Sequence, residues 1–403
     1  MDSHGGRFLP GCGLELWGRP MHVLRGKTLA IVSKNAWSLH NYRQNLIKAI
    51  ASVGGSPFAM GADDQGYGPL LAKNGIRFEK ISLPERGVAV VADLCLIYQL
   101  YRRFKAIRPE VVHTFTIRPV IYGTIAAKLA GIPVRICTIT GLGHSFRPAN
   151  PALRAIVKWL YRLALSHADR VVFQNHEDLD LFVREGLVAA GRSELMPGSG
   201  VDLDHFAFRP PSAGLGSRPI RLAMISRLIK DKGVMTFVDA AESALRRGVQ
   251  AEFVLVGPRD DANPDALSPE EMCRLAASPV RWIGPVDDVR DTLAFADVVV
   301  LPSSYREGIP RSLLEAMAVG RPIITTDSPG CRDLVVPGRT GYLVEPRDAA
   351  GLADAFVQCA RNADALALMG TYARQFVVEH FDEAIVISRT LALYEGLVAM
   401  KGA

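Results

Sequence analysis

Short apolar runs, each followed by a stretch of helical pattern, recur along this chain and constrain its fold more than any other feature. In the first half they are residues 27–33 (KTLAIVS), 110–115 (EVVHTF), 134–139 (VRICTI) and 169–173 (DRVVF). In the second half they are 220–225 (IRLAMI), 252–256 (EFVLV), 298–301 (VVVL) and 322–326 (PIITT). Runs this apolar suit strands buried on both faces, and strand-helix alternation lays the helices over those faces. Helical pattern fills 41–53, 122–130, 151–167 and 383–400. The segment 208–219, FRPPSAGLGSRP, is the only strong linker signal in mid-chain. The pattern predicts two α/β units with parallel sheets, 27–210 and 220–382, joined by 211–219. An irregular extension, 1–26, precedes them, with Met21 as an alternative start, and a terminal helix, 383–403, follows. No period of 20–50 residues repeats, which argues against a solenoid.

Ligands of open α/β sheets bind beyond the carboxyl ends of the strands, so chemistry is sought just after each apolar run. After 298–301 comes Ser304-Tyr-Arg-Glu-Gly-Ile-Pro-Arg-Ser-Leu-Leu-Glu315, with Glu307 and Glu315 bracketing seven residues. Gly308 allows close backbone approach, and Pro310 suits the first position of a helix over 310–319. A helix start at a strand edge offers free N–H groups and a positive dipole end to an anion. A carboxylate on either side of a phosphate turn suits a nucleotide sugar, with the sugar at one end and the ribose at the other. After 220–225, Arg227 and Lys232 could neutralise its diphosphate, Arg as a fork and Lys as a point charge. Glu315 sits in an apolar context, where a buried carboxylate needs a bonding partner.

The motif Glu-x7-Glu, with Pro302-Ser-Ser-Tyr-Arg306 before it and Ser226-Arg-Leu…Lys232-Gly233 in the same half, resembles the retaining GT-B glycosyltransferases of family GT4. His113-Thr-Phe-Thr-Ile-Arg118, Thr140-Gly-Leu-Gly143, Phe173-Gln-Asn175 and 198–206 (GSGVDLDHF) resemble a branch acting on polyprenyl-diphosphate-linked sugars. The resemblance implies that Glu307 bonds the donor-sugar hydroxyls and that the backbone of Gly308, Ile309, Pro310 and Arg311 holds sugar and phosphate. Arg227 and Lys232 would stabilise the departing diphosphate, Glu315 would bond the ribose, and the region of Ile283 would border the base. His113, read as closing its strand, would face the donor sugar. Asn35, Trp37, His40 and Arg43, in a loop replacing the Gly-Gly turn of many relatives, would lie on the acceptor side with Thr140, Gly141 and Gly143. The family's fold implies that the terminal helix crosses back to the first unit. The expected activity is transfer of a hexosamine or related hexose from a UDP-linked donor to a lipid-linked saccharide in cell-surface polysaccharide or glycoconjugate assembly. A UDP-sugar 2-epimerase of the same architecture, or a non-catalytic two-lobed sugar-binding protein, is the alternative.

Charge and composition bear on the partners. Residues 1–210 carry 26 Lys/Arg against 16 Asp/Glu, net +10, and residues 211–403 carry 21 against 25, net −4. A basic first half suits an anionic partner such as lipid head groups or a lipid-borne pyrophosphate. Basic-aromatic stretches at 98–108 and 146–167 suit a membrane surface, and no uncharged run approaches the ~20 residues that span a bilayer. Residues 1–26 lack the apolar core of a secretory signal, and six scattered cysteines lack metal spacing, so cytosolic thiols are expected. The expected location is cytoplasmic, peripheral on the inner face of the membrane. Neither Asp178-Leu-Asp180 nor Asp202-Leu-Asp204 directly ends an apolar strand, so no metal or other cofactor is expected. No nucleic-acid-reading motif occurs, and no Gly-x-Gly-x-x-Gly follows the first strand, which disfavours a dehydrogenase.

Overall fold

The computed structural model describes residues 23–63, 66–83, 90–142, 151–211 and 214–402. They form two compact units. The chain enters the second unit at Gly200 and leaves it at Glu383, and residues from Ala384 onward belong to the first.

The first unit holds seven strands: β1 Thr28–Asn35, β2 Ser56–Ala62, β3 Phe78–Lys80, β4 Val111–Phe115, β5 Val134–Ile139, β6 Arg170–Phe173 and β7 Ser193–Leu195. They lie in the order β3-β2-β1-β4-β5-β6-β7, and every pair is parallel. Alternate residues of β1 enter different cores. Leu29 and Ile31 pack with helix Ala36–Ser52 and with Leu391, Tyr394 and Leu397 of helix Glu383–Gly402. Ala30 and Val32 pack on the other face with Leu96, Leu100 and Phe104 of helix Val90–Ile107. The sheet is thus buried on both sides, as apolar parallel strands require.

The second unit holds β8 Ile220–Ile225, β9 Ala251–Val256, β10 Val280–Trp282, β11 Val298–Leu301, β12 Ile323–Thr326 and β13 Gly341–Val344, ordered β10-β9-β8-β11-β12-β13 and again parallel. One continuous core surrounds this sheet. In both units the strand order reverses beside the first strand of the unit, at β1/β4 and at β8/β11. That is the switch point where ligands of such sheets bind.

The Pro/Gly-rich segment 211–219 does not carry the crossing between units. Residues before it already belong to the second unit: Arg209 N–H donates to Val319 O at 3.1 Å, and Arg321 Nη1 donates to Arg209 O at 2.9 Å. Residues 212 and 213 lie outside the described residues.

Candidate functional site

The β8/β11 switch point gathers the charged residues of both loops. Lys232 follows β8 in a short turn, Lys230–Lys232, and Gly233 closes the turn at φ 80°. A Cβ at Gly233 would lie 2.1 Å from Pro302 O, so only glycine lets this turn lie against the chain leaving β11. The contact brings Lys232 Nζ onto Glu307 Oε1, and both side chains are largely buried. Ser303 Oγ donates to the same oxygen at 3.0 Å. Lys232 Nζ also stands 5.5 Å from the Tyr305 ring centroid. The loop backbone is bonded from several sides: Ser304 N–H donates to Asp231 O at 2.8 Å, and Ser328 Oγ donates to Ser303 O at 3.1 Å. The Thr326 hydroxyl donates to Ser303 O as well.

Pro310 caps the helix rather than opening it, with φ −67° and ψ 115°, and the helix spans Arg311–Ala318. Gly308 and Pro310 are buried and Ile309 is partly so. Glu315 accepts from Arg311 Nε at 3.0 Å, and its side chain is 14% exposed. Burial pushes its carboxyl above the usual range, Arg311 opposes that, and Asp288 adds to it. Arg227 also follows β8, but its Nη1 donates to Asp260 Oδ2 at 2.6 Å. The sequence reads it as a cation directed at a diphosphate; the structure seats it on an aspartate with 42% of its side chain exposed. Ile283 follows β10, half exposed, beside Trp282, whose Nε1 donates to Gly257 O at 3.0 Å.

The first unit corrects one residue outright. His113 does not close its strand. It lies mid-β4, opposite Ile31 of β1 and Ile136 of β5. The ring is 2% exposed, with Nδ1 2.7 Å from the Tyr394 hydroxyl and Nε2 2.7 Å from Thr138 Oγ1. Both nitrogens are bonded inside the unit, so the geometry is that of a core histidine fastening the terminal helix to the sheet. Arg43 is buried, with its guanidinium 4.1 Å from the Phe115 ring centroid. Asn35 caps helix Ala36–Ser52, accepting from Ser38 N–H at 3.1 Å, and Trp37 stacks edge-on against Tyr42 at 5.1 Å. His40 faces Tyr67 at 5.4 Å. Thr140 and Gly141 follow β5, Gly141 at φ 102°. Gly143, Phe146 and Arg147 lie outside the described residues.

Residues 219–362 match the family described as glycosyl transferases group 1, and residues 39–198 match the glycosyl transferase 4-like domain. The chain belongs to these glycosyltransferases. It is 26% identical over 325 residues to UDP-Gal:alpha-D-GlcNAc-diphosphoundecaprenol alpha-1,3-galactosyltransferase of Escherichia coli, covering 78% of this chain and 83% of that one. It is 26% identical over 384 residues to N,N'-diacetylbacillosaminyl-diphospho-undecaprenol alpha-1,3-N-acetylgalactosaminyltransferase of Campylobacter jejuni, covering 92% and 99%. Among solved structures, Anabaena HepE in complex with UDP-glucose superposes with a TM-score of 0.72 at 18% identity, covering 91% of this chain and 99% of that one. The fold is GT-B, two Rossmann-like units with parallel sheets.

Asp260, which accepts from Arg227, and Gly330, where a Cβ would lie 1.9 Å from Gly308 O, carry no local signal in the sequence. Their roles arise from partners distant in the chain or across a turn. Asp202 accepts from Asp204 N–H at 3.1 Å and His205 N–H at 2.9 Å, which closes a turn. Among the described residues no three His, Cys, Asp or Glu gather as a metal site.

Burial, helped by Arg43, holds the His113 pKa well below its ordinary value. A histidine whose folded pKa is depressed stabilises fully above its unfolded pKa near 6.5 and loses that contribution as pH falls toward the folded value. The slope in that window is at most about 1.4 kcal/mol per pH unit. His113→Gln should therefore melt below the glycosyltransferase's own Tm at neutral pH, and the gap should narrow on acidification below about pH 6.5. A gap that stays constant with pH would contradict a buried neutral imidazole.

Proposed function

We propose that this protein is a retaining hexosyltransferase. It moves a hexosamine or related hexose from a UDP-linked donor to a saccharide carried on a polyprenyl diphosphate, in cell-surface polysaccharide or glycoconjugate assembly. The observation that carries the reading is the Lys232–Glu307–Ser303 cluster, set at the β8/β11 switch point beside the N-terminus of helix Arg311–Ala318. Relatives named for lipid-linked diphosphosugar acceptors and alpha-1,3 products support the acceptor class and retention.

In this reading the departing diphosphate takes Lys232 and the helix N-terminus, with Arg227 swinging from Asp260 to assist. Glu307, released from Lys232, accepts from the sugar hydroxyls, and Glu315 accepts from the ribose. The C1–oxygen bond to the diphosphate breaks, the acceptor oxygen bonds C1 from the same face, and its proton passes to the leaving phosphate oxygen. Two cations and a helix dipole supply the charge that a metal would otherwise supply, so turnover is metal-independent. His113 has no part in the proton transfer.

The basic first half would hold the protein on the cytoplasmic face of an anionic membrane. Helix Val90–Ile107 exposes Val91 at 75%, Leu94 and Tyr98, and it continues into Arg102 and Lys105. Helix Pro151–Ser166 exposes Ile156, Trp159 at 60% and Leu163. Apolar side chains beside cations are what interfacial helices present, and no described helix is long and apolar enough to cross a membrane.

The test is incubation with UDP-, GDP- and ADP-sugars, with and without polyprenyl-diphosphosaccharide in anionic or neutral vesicles and with chelator present. The expected result is a lipid-linked product of increased mass, only with acceptor, faster on anionic vesicles and unaffected by chelator. Conversion of the nucleotide sugar without acceptor favours the epimerase. Binding without any turnover favours the sugar-binding protein.

A further inference from the structure

Helix Arg311–Ala318 begins with a cation, although the positive dipole end disfavours one there. The Arg311 guanidinium bonds both Glu315 and Gly200. Its Nε donates to Glu315 Oε1 at 3.0 Å, one turn on, and its Nη1 donates to Gly200 O at 2.7 Å. Gly200 is where the chain enters this unit, and Glu383 is where it leaves. These two points touch. A Cβ on Gly200 would lie 2.5 Å from the Glu383 Cα. Val201 N–H donates to Phe381 O at 2.9 Å, and Glu383 N–H donates to Val201 O at 3.1 Å. One largely buried guanidinium thus joins the second carboxylate of the motif to the backbone at the paired chain crossings.

The charges bearing on Glu315 are few. Arg311, on its own helix, favours the ionised form; burial and Asp288, in the loop after β10, oppose it. Asp288 is itself bound by Arg290 Nε at 2.9–3.0 Å, with His205 close enough to act on it.

We propose that Arg311 is a positioning residue: it keeps Glu315 ionised and oriented for the ribose, and it couples occupancy of that carboxylate to the chain crossings at Gly200 and Glu383. The proposal rests on the donor reading of Glu315 given above. Lysine, a point charge, can keep Glu315 ionised but cannot bond both acceptors in the fork geometry of arginine.

Wild type, Arg311→Met and Arg311→Lys are compared for binding of UDP, GDP and ADP by calorimetry between about pH 5 and 8. Amide hydrogen exchange is followed at residues 200–202 and 381–383 with and without nucleotide. Wild type should bind one of the nucleotides and slow exchange in both segments. Arg311→Met should bind about 10-fold more weakly, the factor carried by one charge-assisted hydrogen bond. Its acid-side loss of binding should move to higher pH, and the nucleotide-dependent protection should vanish while the core helices of the unit exchange as in wild type. Arg311→Lys should recover the pH profile but not the protection. Wild-type affinity, pH profile or protection in Arg311→Met overturns the positioning role alone. A wild type that binds none of the three nucleotides overturns the donor reading and this proposal together.

Discussion

Replacing Lys232 by methionine should lower turnover about 10³-fold, the scale of losing a principal charge stabiliser at a leaving group. The same change should destabilise the second unit, because it removes the ammonium that neutralises a carboxylate only 11% exposed. Breaking a buried pair from one side costs about 3–5 kcal/mol. Glu307→Gln keeps an acceptor for Ser303 Oγ and removes the charge, so it should cost less stability and still lower turnover by at least about 10². The double variant separates the two effects. With both charges gone, stability should return to near the Glu307→Gln level, since two neutral side chains of similar volume replace a buried pair. Activity should stay at the level of the worse single variant, because residues that act as a unit are not additive. Unfolding curves of the four proteins, read beside initial rates of nucleoside diphosphate release, decide the matter. Recovery of activity together with stability would make the pair structural and remove it from the chemistry.

The candidate site of the second unit was legible because its signals are local. Glu307 and Lys232 each follow a short, mainly apolar strand, and a glycine stands beside each, Gly308 and Gly233. Strand ends could therefore be placed to within a residue or two, and switch-point geometry supplied the rest. His113 shows where locality fails. Nothing in EVVHTF says which residue is the last in the strand, and the ring's partner Tyr394 is 281 residues away. The seating of Arg227 on Asp260 was unread for the same reason: that acceptor lies in a separate loop after β9. The unread strands are mostly outer ones. β3 (FEK), β7 (SEL) and β10 (VRW) have three residues each, too few to show a period. β2 contains a proline and a glycine, and β13 begins on glycine. The crossing at Gly200 was missed because Pro/Gly content marks irregular backbone, whereas a unit boundary is set by packing.

Gly330 carries the second large effect. It sits at φ 78°, and a Cβ there would lie 1.9 Å from Gly308 O and 2.7 Å from Glu307 O. An alanine methyl cannot occupy that space, so the turn that presents Glu307 must retreat by more than 1 Å to reach van der Waals contact, about 3.5 Å. Displacement of that order at a reacting group costs about 10²-fold in rate. The left-handed conformation adds about 1–2 kcal/mol for any residue with a Cβ. Gly338 provides the control, at φ 71° with nothing within 4 Å of the place a Cβ would take. Gly338→Ala should therefore share the conformational cost, lower Tm by a few degrees and leave turnover near wild type. Gly330→Ala should lose Tm by at least as much and lose turnover by about 10², because the methyl acts on the Glu307 turn rather than on the core. Equal turnover in the two variants would show that the 307–308 turn can shift without consequence, and Glu307 would then have no claim to hold the transferred sugar.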